Sequence, residues 1–126
     1  MIAITNNDGT GQKLQAFLAG AAATTNPTVT VSFYDIIRQT KTDYSDYPLS
    51  NQFTVLAGVT ETDICATPST GTTRHIRRIS IYNADTASVT VTVCIDDNGT
   101  NRILCKKAIA AGETLNYESG NGWYVL

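Results

Sequence analysis

Charge is scarce in this chain. Only 16% of its 126 residues are Asp, Glu, Lys or Arg, against about 25% in an ordinary soluble domain. Nine basic and eleven acidic residues leave a formal net charge of -2. Without a strongly basic face there is no sequence-independent grip on phosphates, so nucleic acid is not an expected partner. Histidine is scarcer still: His75 is the one histidine, and it sits beside Arg74, Arg77 and Arg78, where a surface histidine among basic residues is the ordinary reading. A nucleophile, histidine and carboxylate set would have to be built on that one ring. The three glutamates, Glu61, Glu113 and Glu118, each fall in a turn. No enzyme is expected.

Cysteine is limited to Cys65, Cys94 and Cys105, whose spacing matches neither a zinc knuckle nor a Cys-x-x-Cys redox site. Buried free thiols are the expectation, with one disulfide as the alternative, and no metal or cofactor is implied. Asp96-Asp97 before Asn98-Gly99 lacks the regular oxygen positions and terminal Glu of a calcium loop, and turn chemistry explains it better. Long apolar runs are missing too. The longest, Ala16 to Ala23, is far short of the roughly 20 residues that cross a bilayer. Met1 to Asp8 shows no basic start before an apolar stretch, so a cytoplasmic folding site and no membrane are expected.

What the chain has instead is Thr, Asn, Ser and Gly, and apolar residues that recur every second position. Ile79 and Ile81, then Val89, Val91, Val93 and Ile95, alternate with polar neighbours, as in half-buried strands. Burying those last four side chains gains about 6 to 10 kcal/mol before entropy is subtracted. Asp97-Asn98-Gly99 is the strongest hairpin signal, because Asn-Gly accepts the positive φ of a tight primed turn. Eight or nine strands are expected, over 13–18, 28–36, 53–59, 63–66, 74–83, 88–95, 102–109, 114–117 and 123–126; a short helix is the alternative for the first. Turn signals every 8 to 12 residues point to an all-β, antiparallel β-sandwich, jelly-roll or immunoglobulin-like. A chain of this size buries about two-thirds of its unfolded surface. One domain over 12–126, preceded by a flexible N-terminal arm over 1–11, is the expected organisation.

Low surface charge suits a domain that works inside an assembly. Lys13, Leu14, Phe17 and Leu18, near the start of the domain, are candidates for a subunit contact. So are Tyr44 and Tyr47, in the long polar stretch 38–50, where exposed rings would bury area at modest entropic cost. Arg74-His75-Ile76-Arg77-Arg78 is the only basic cluster; strict alternation would send Arg74, Ile76 and Arg78 one way and His75, Arg77 and Ile79 the other.

Several pieces carry a resemblance: Asp63-Ile64-Cys65-Ala66-Thr67-Pro68, Arg74 to Ile79, Tyr82-Asn83-Ala84-Asp85, Asp96 to Thr100, Ala111 to Leu115, and Gly122-Trp123. Together they resemble the small virion structural proteins of tailed bacteriophages. That resemblance implies a non-enzymatic β-sandwich acting as a capsid decoration, or cement, protein, a homotrimer that bridges subunits of the major capsid protein on the virion surface. A tail, neck or baseplate protein bound to other tail proteins is the alternative. From a different class, a carbohydrate-binding module would use Tyr44, Tyr47 or Trp123 as a stacking platform.

Overall fold

A computed structural model of the protein describes residues 1–7, 10–37 and 48–126. Ten strands follow one another: β1 (Ile2–Asn6), β2 (Gln12–Leu18), β3 (Thr28–Ile37), β4 (Ser50–Val55), β5 (Thr62–Cys65), β6 (Thr72–Tyr82), β7 (Val89–Asp97), β8 (Thr100–Ile109), β9 (Thr114–Glu118) and β10 (Gly122–Val125). One sheet runs β10-β9-β6-β3-β4, with β1 paired to β6 off that path, and the other runs β5-β2-β7-β8. Every pairing is antiparallel. The two sheets pack as a β-sandwich. The nested pairs β2–β7 and β3–β6 lie in opposite sheets.

The core between the sheets comes from the alternating positions. Leu14, Ala16 and Leu18 of β2 and Val91 and Val93 of β7 meet Val29, Val31, Ile79, Ile81 and Leu115 of the larger sheet, all buried. The strand expected over 13–18 is present as β2, rather than the alternative helix, since Leu14, Ala16 and Leu18 lie on one pleated face and pair in register with Ile95, Val93 and Val91. At the tip of β7–β8, Asn98 (φ 51°) and Gly99 (φ 92°) both take positive φ, as a primed turn requires. Asp96 Oδ1 accepts the Gly99 N–H at 2.7 Å and closes the turn.

The N-terminal segment departs from the expected flexible arm over 1–11. Ile2 to Asn6 forms β1, antiparallel to Thr72–Ile76. Its Ile2, Ile4 and Asn6 turn inward, with Ile4 fully buried. The physical reason is the same period of two: Ile2 and Ile4 have a core to enter, and the Ile2 N–H donates to Tyr117 Oη at 2.9 Å. Between Ile76 and Ile79 strict alternation also fails. Opposite Ser32 and Phe33, strand β6 contributes Arg78 and Ile76, so Arg77 is the extra residue of a β-bulge. The bulge turns Ile76 and Ile79 both into the core and leaves Arg77 and Arg78 both exposed, which a regular strand forbids.

One corner is held by polar groups. Asp85 Oδ2 accepts the Ala23 N–H at 2.7 Å, and its Oδ1 accepts the Thr24 N–H (2.9 Å), the Thr24 hydroxyl (2.8 Å) and the Thr86 N–H (2.8 Å). The β6–β7 turn is thereby bound to the β2–β3 connection. Burial alone would raise this carboxyl's pKa, but the Thr24 hydroxyl and the three N–H donors outweigh it and hold the group far below the usual carboxylate range. A depressed folded pKa stabilises above the unfolded value near 4 and is lost as pH falls below it. Urea midpoints should therefore drop between pH 7 and pH 3, and drop by less in Asp85→Asn. An equal drop in both proteins would show that Asp85 is not the acid-labile group.

Candidate interaction surface

His75 stacks on Tyr34 (5.1 Å between centroids, 7° between planes), with Met1 Sδ 3.3 Å from its Nδ1. The three cysteines are free thiols, Cys65 and Cys94 buried and Cys105 half-buried. Burial pushes the Cys94 thiol up to about 11, assisted by the negative charges of Glu61 and Asp96. Burial raises Cys65 as well, against the lowering influence of Arg74. Thiols held protonated in this way are poor nucleophiles. Among the described residues no group of three His, Cys, Asp or Glu side chains is placed to hold a metal ion.

The outer faces of the two sheets differ in kind. On the smaller sheet, Lys13 Nζ lies 3.1 Å from Asp63 and 3.8 Å from Asp96. Beside them Gln15 Nε2 donates to Asp63 Oδ1 at 2.7 Å, and Asn101 donates to Glu61 at 2.6 Å. That face carries a network of charges and amides, with Ile103 (65% exposed) and half-exposed Phe17 set among them.

The larger sheet carries the opposite pattern. Val55, Thr28, Tyr82 and Thr114 form one row across β4, β3, β6 and β9, extended by Leu126 through its paired bonds to Thr114. Phe53, Thr30, Ser80, Asn116 and Tyr124 form the next. None of these ten side chains is charged at neutral pH. Phe53 is 75%, Val55 60% and Tyr82 45% exposed. Charge returns only in the third row, where Arg78 faces Glu118 at 3.9 Å. An apolar patch beside a polar rim is the anatomy of a contact surface.

Two depressions flank this face. Arg77, Arg78, Glu118, Ser119 and Asn121 line an open polar cleft of about 440 Å³ with Ser32 and Leu49. At the opposite edge a groove of about 280 Å³ opens between Cys105 and Lys107 of β8 and Leu115, Trp123 and Tyr124 of β9 and β10. Trp123 sits there half-buried, 5.2 Å from Tyr117 and packed against the core, rather than standing out as a platform.

The residues expected at a subunit contact divide. Leu14 and Leu18 are buried in the core, at 0% and 1% exposure. Lys13 and Phe17 lie half-exposed on the outer face of β2, so a contact at this segment is left to those two. Tyr44 and Tyr47 lie outside the described residues. Phe53 and Val55 escaped the sequence reading, because their alternation with polar Gln52 and Thr54 argues for the apolar side inward, whereas the structure turns it out; Tyr82 follows inward Ile81 and is not singled out. Comparison with family models, curated proteins and solved structures finds no match to the chain.

Proposed function

We propose that this protein is a non-enzymatic structural component of an assembled particle, a capsid decoration protein that bridges coat-protein subunits. The observation that carries the reading is the pair of uncharged rows on the outer face of the larger sheet, with Phe53, Val55 and Tyr82 displayed on them. The capsid as the place of assembly is what the resemblance of Arg74 to Leu126 implies. A face of this kind is soluble alone, because Thr, Ser and Asn intersperse its apolar groups, yet loses little on desolvation because it strips no charge. Bound only to the assembled lattice, the protein stabilises that lattice by mass action.

Particles assembled without the protein should release their genome at lower temperature, or under milder osmotic shock, than particles carrying it. Adding purified protein back should restore the tolerance, and Phe53→Lys with Val55→Lys should fail to do so. Equal tolerance with no protein on purified capsids would overturn the proposal. Copies confined to one vertex would move the same surface to the tail, neck or baseplate.

A further inference from the structure

We infer that two copies of this chain join side by side through β4, antiparallel and about a two-fold axis, so that the larger sheet continues from one copy into the next. The inference stands independently of the capsid reading.

Its first support is the distribution of charge over the sheet edges. In the smaller sheet both edge strands carry charged residues, Asp63 on β5 and Arg102, Lys106 and Lys107 on β8, the usual protection against edge-to-edge pairing. In the larger sheet β4 reads Ser50-Asn51-Gln52-Phe53-Thr54-Val55, with no charge and no proline. Among the described residues it pairs with β3 alone. Ser50, Asn51, Phe53 and Val55 are its exposed side chains, and the two apolar ones are 75% and 60% exposed.

The competing edges of that sheet are less suited. Strand β1 has N–H groups already taken by side chains, Ile2 by Tyr117 Oη and Thr5 by Gln12 Oε1 at 3.1 Å. Strand β10 has only four residues, and Trp123, Tyr124 and Val125 are all half-buried.

Strand direction then chooses the symmetry. The path β10-β9-β6-β3-β4 has five strands, each antiparallel to the next, so β4 and β10 point the same way. Joining β4 to the next copy's β10, with the sheet faces kept aligned, would give the weaker parallel pairing. Joining β4 to a second β4 gives an antiparallel pair and closes after two copies, whereas the head-to-tail contact builds rings or fibres. The register with Phe53 opposite its own copy pairs the two rings and sets Asn51 against Val55, with no like charges opposed.

The inner side of β4 is fastened across the sandwich: Gln52 Oε1 accepts the Ala66 N–H at 3.0 Å, and the Thr54 hydroxyl lies 3.5 Å from the Asp63 carbonyl oxygen. Strand β4 is therefore anchored to the other sheet rather than a free flap. Six residues give the contact a length of ~20 Å, which places it among the small specific interfaces below ~1,200 Å². A contact of that size is expected to be weak and concentration-dependent.

Analytical ultracentrifugation of the whole chain from about 1 to 200 µM, the range suited to so small an interface, should show mass rising from 13.5 kDa to twice that value. Phe53→Lys and Val55→Lys, both at exposed positions, should keep the circular dichroism and thermal midpoint of the parent and stay monomeric. Phe53→Cys should form an inter-copy disulfide on mild oxidation, while Tyr82→Cys should not. Three times the monomer mass, the order that the resemblance implies, would overturn the two-fold contact. So would a monomer at every concentration, or a dimer that both lysine variants leave intact.

Discussion

Asn83→Ala should cost about 3 kcal/mol and lower the thermal midpoint by about 10 °C. Asn83 is fully buried and all its bonding capacity faces inward. Its Nδ2 donates to the carbonyls of Ala87 (2.9 Å) and Ile109 (3.2 Å), and its Oδ1 accepts the Asp85 N–H at 3.0 Å. Backbone bonds frame the residue as well, from its own N–H to Glu113 O and from the Gly112 N–H to Asn83 O, both 2.9 Å. The side chain thus joins the ends of β6 and β8 and presets Asp85 for the donors around Ala23 and Thr24. Alanine takes the side-chain bonds away from the buried Ile109 carbonyl and Asp85 N–H and from the part-buried Ala87 carbonyl, and the penalty for unmet buried groups exceeds the net value of the bonds themselves. Asn121→Ala removes one exposed bond to Glu118, 3.2 Å long, and should stay within about 0.5 kcal/mol. Equal midpoints for the two variants in urea would show that the corner is not structural.

That corner shows how far sequence reaches. Tyr82-Asn83-Ala84-Asp85 is legible as a turn because Asn and Asp compete for backbone bonds. That the Asp85 carboxylate reaches Ala23 and Thr24, some sixty positions away, is a consequence of the β2–β7 and β3–β6 pairings, which no local pattern contains. The same division runs through the strands. Val89, Val91 and Val93 were readable as core because each alternates with a polar residue on a strand with one wet face.

Ser50 to Val55 alternates just as cleanly, and there the structure reverses the sign that polarity suggests. Gln52 and Thr54 turn toward β5, where they bind Ala66 and Asp63, and Phe53 and Val55 are left outside. The sequence expectation of a strand over 53–59 missed this start for the same reason. Arg74 to Ile79 fails differently: one extra residue at Arg77 inverts the faces from there on, and a bulge is a property of the pairing with Ser32 and Phe33 rather than of the strand. The candidate contact surface was therefore illegible where its sign depended on the partner sheet, while its low charge was legible from composition alone.

Arg74→Met should cost about 2 to 3 kcal/mol, Asp35→Asn about 1 kcal/mol, and the double variant less than their sum. Arg74 has inward-facing Ile76 two residues on, and it closes the open end of the sandwich. Its Nε and Nη2 donate to the two Asp35 oxygens at 2.7 and 2.9 Å, in the bidentate fork that only a guanidinium supplies. Its Nη1 donates to the Ala66 carbonyl at 2.8 Å, on the other sheet, and the guanidinium carbon lies 4.0 Å over the Phe33 ring. One side chain thus binds β6, β3 and the end of β5. Only 12% of it is exposed, against 35% for Asp35, so removing the arginine loses more than removing the acid. Without Asp35 the guanidinium keeps Phe33 and Ala66. Without Arg74 the carboxylate returns partly to water, and the two sheets lose their link.

Partial burial shields the pair from ions, so the coupling from a double-mutant cycle should persist in about 0.5 M salt, where the exposed Arg102–Asp97 pair, 3.6 Å apart, contributes nothing measurable. Arg74→Lys, which keeps the charge and loses the fork, should fall between parent and methionine. A lysine variant as stable as the parent would reduce Arg74 to a point charge, and a methionine variant as stable as the parent would remove it from the forces that hold the sandwich shut.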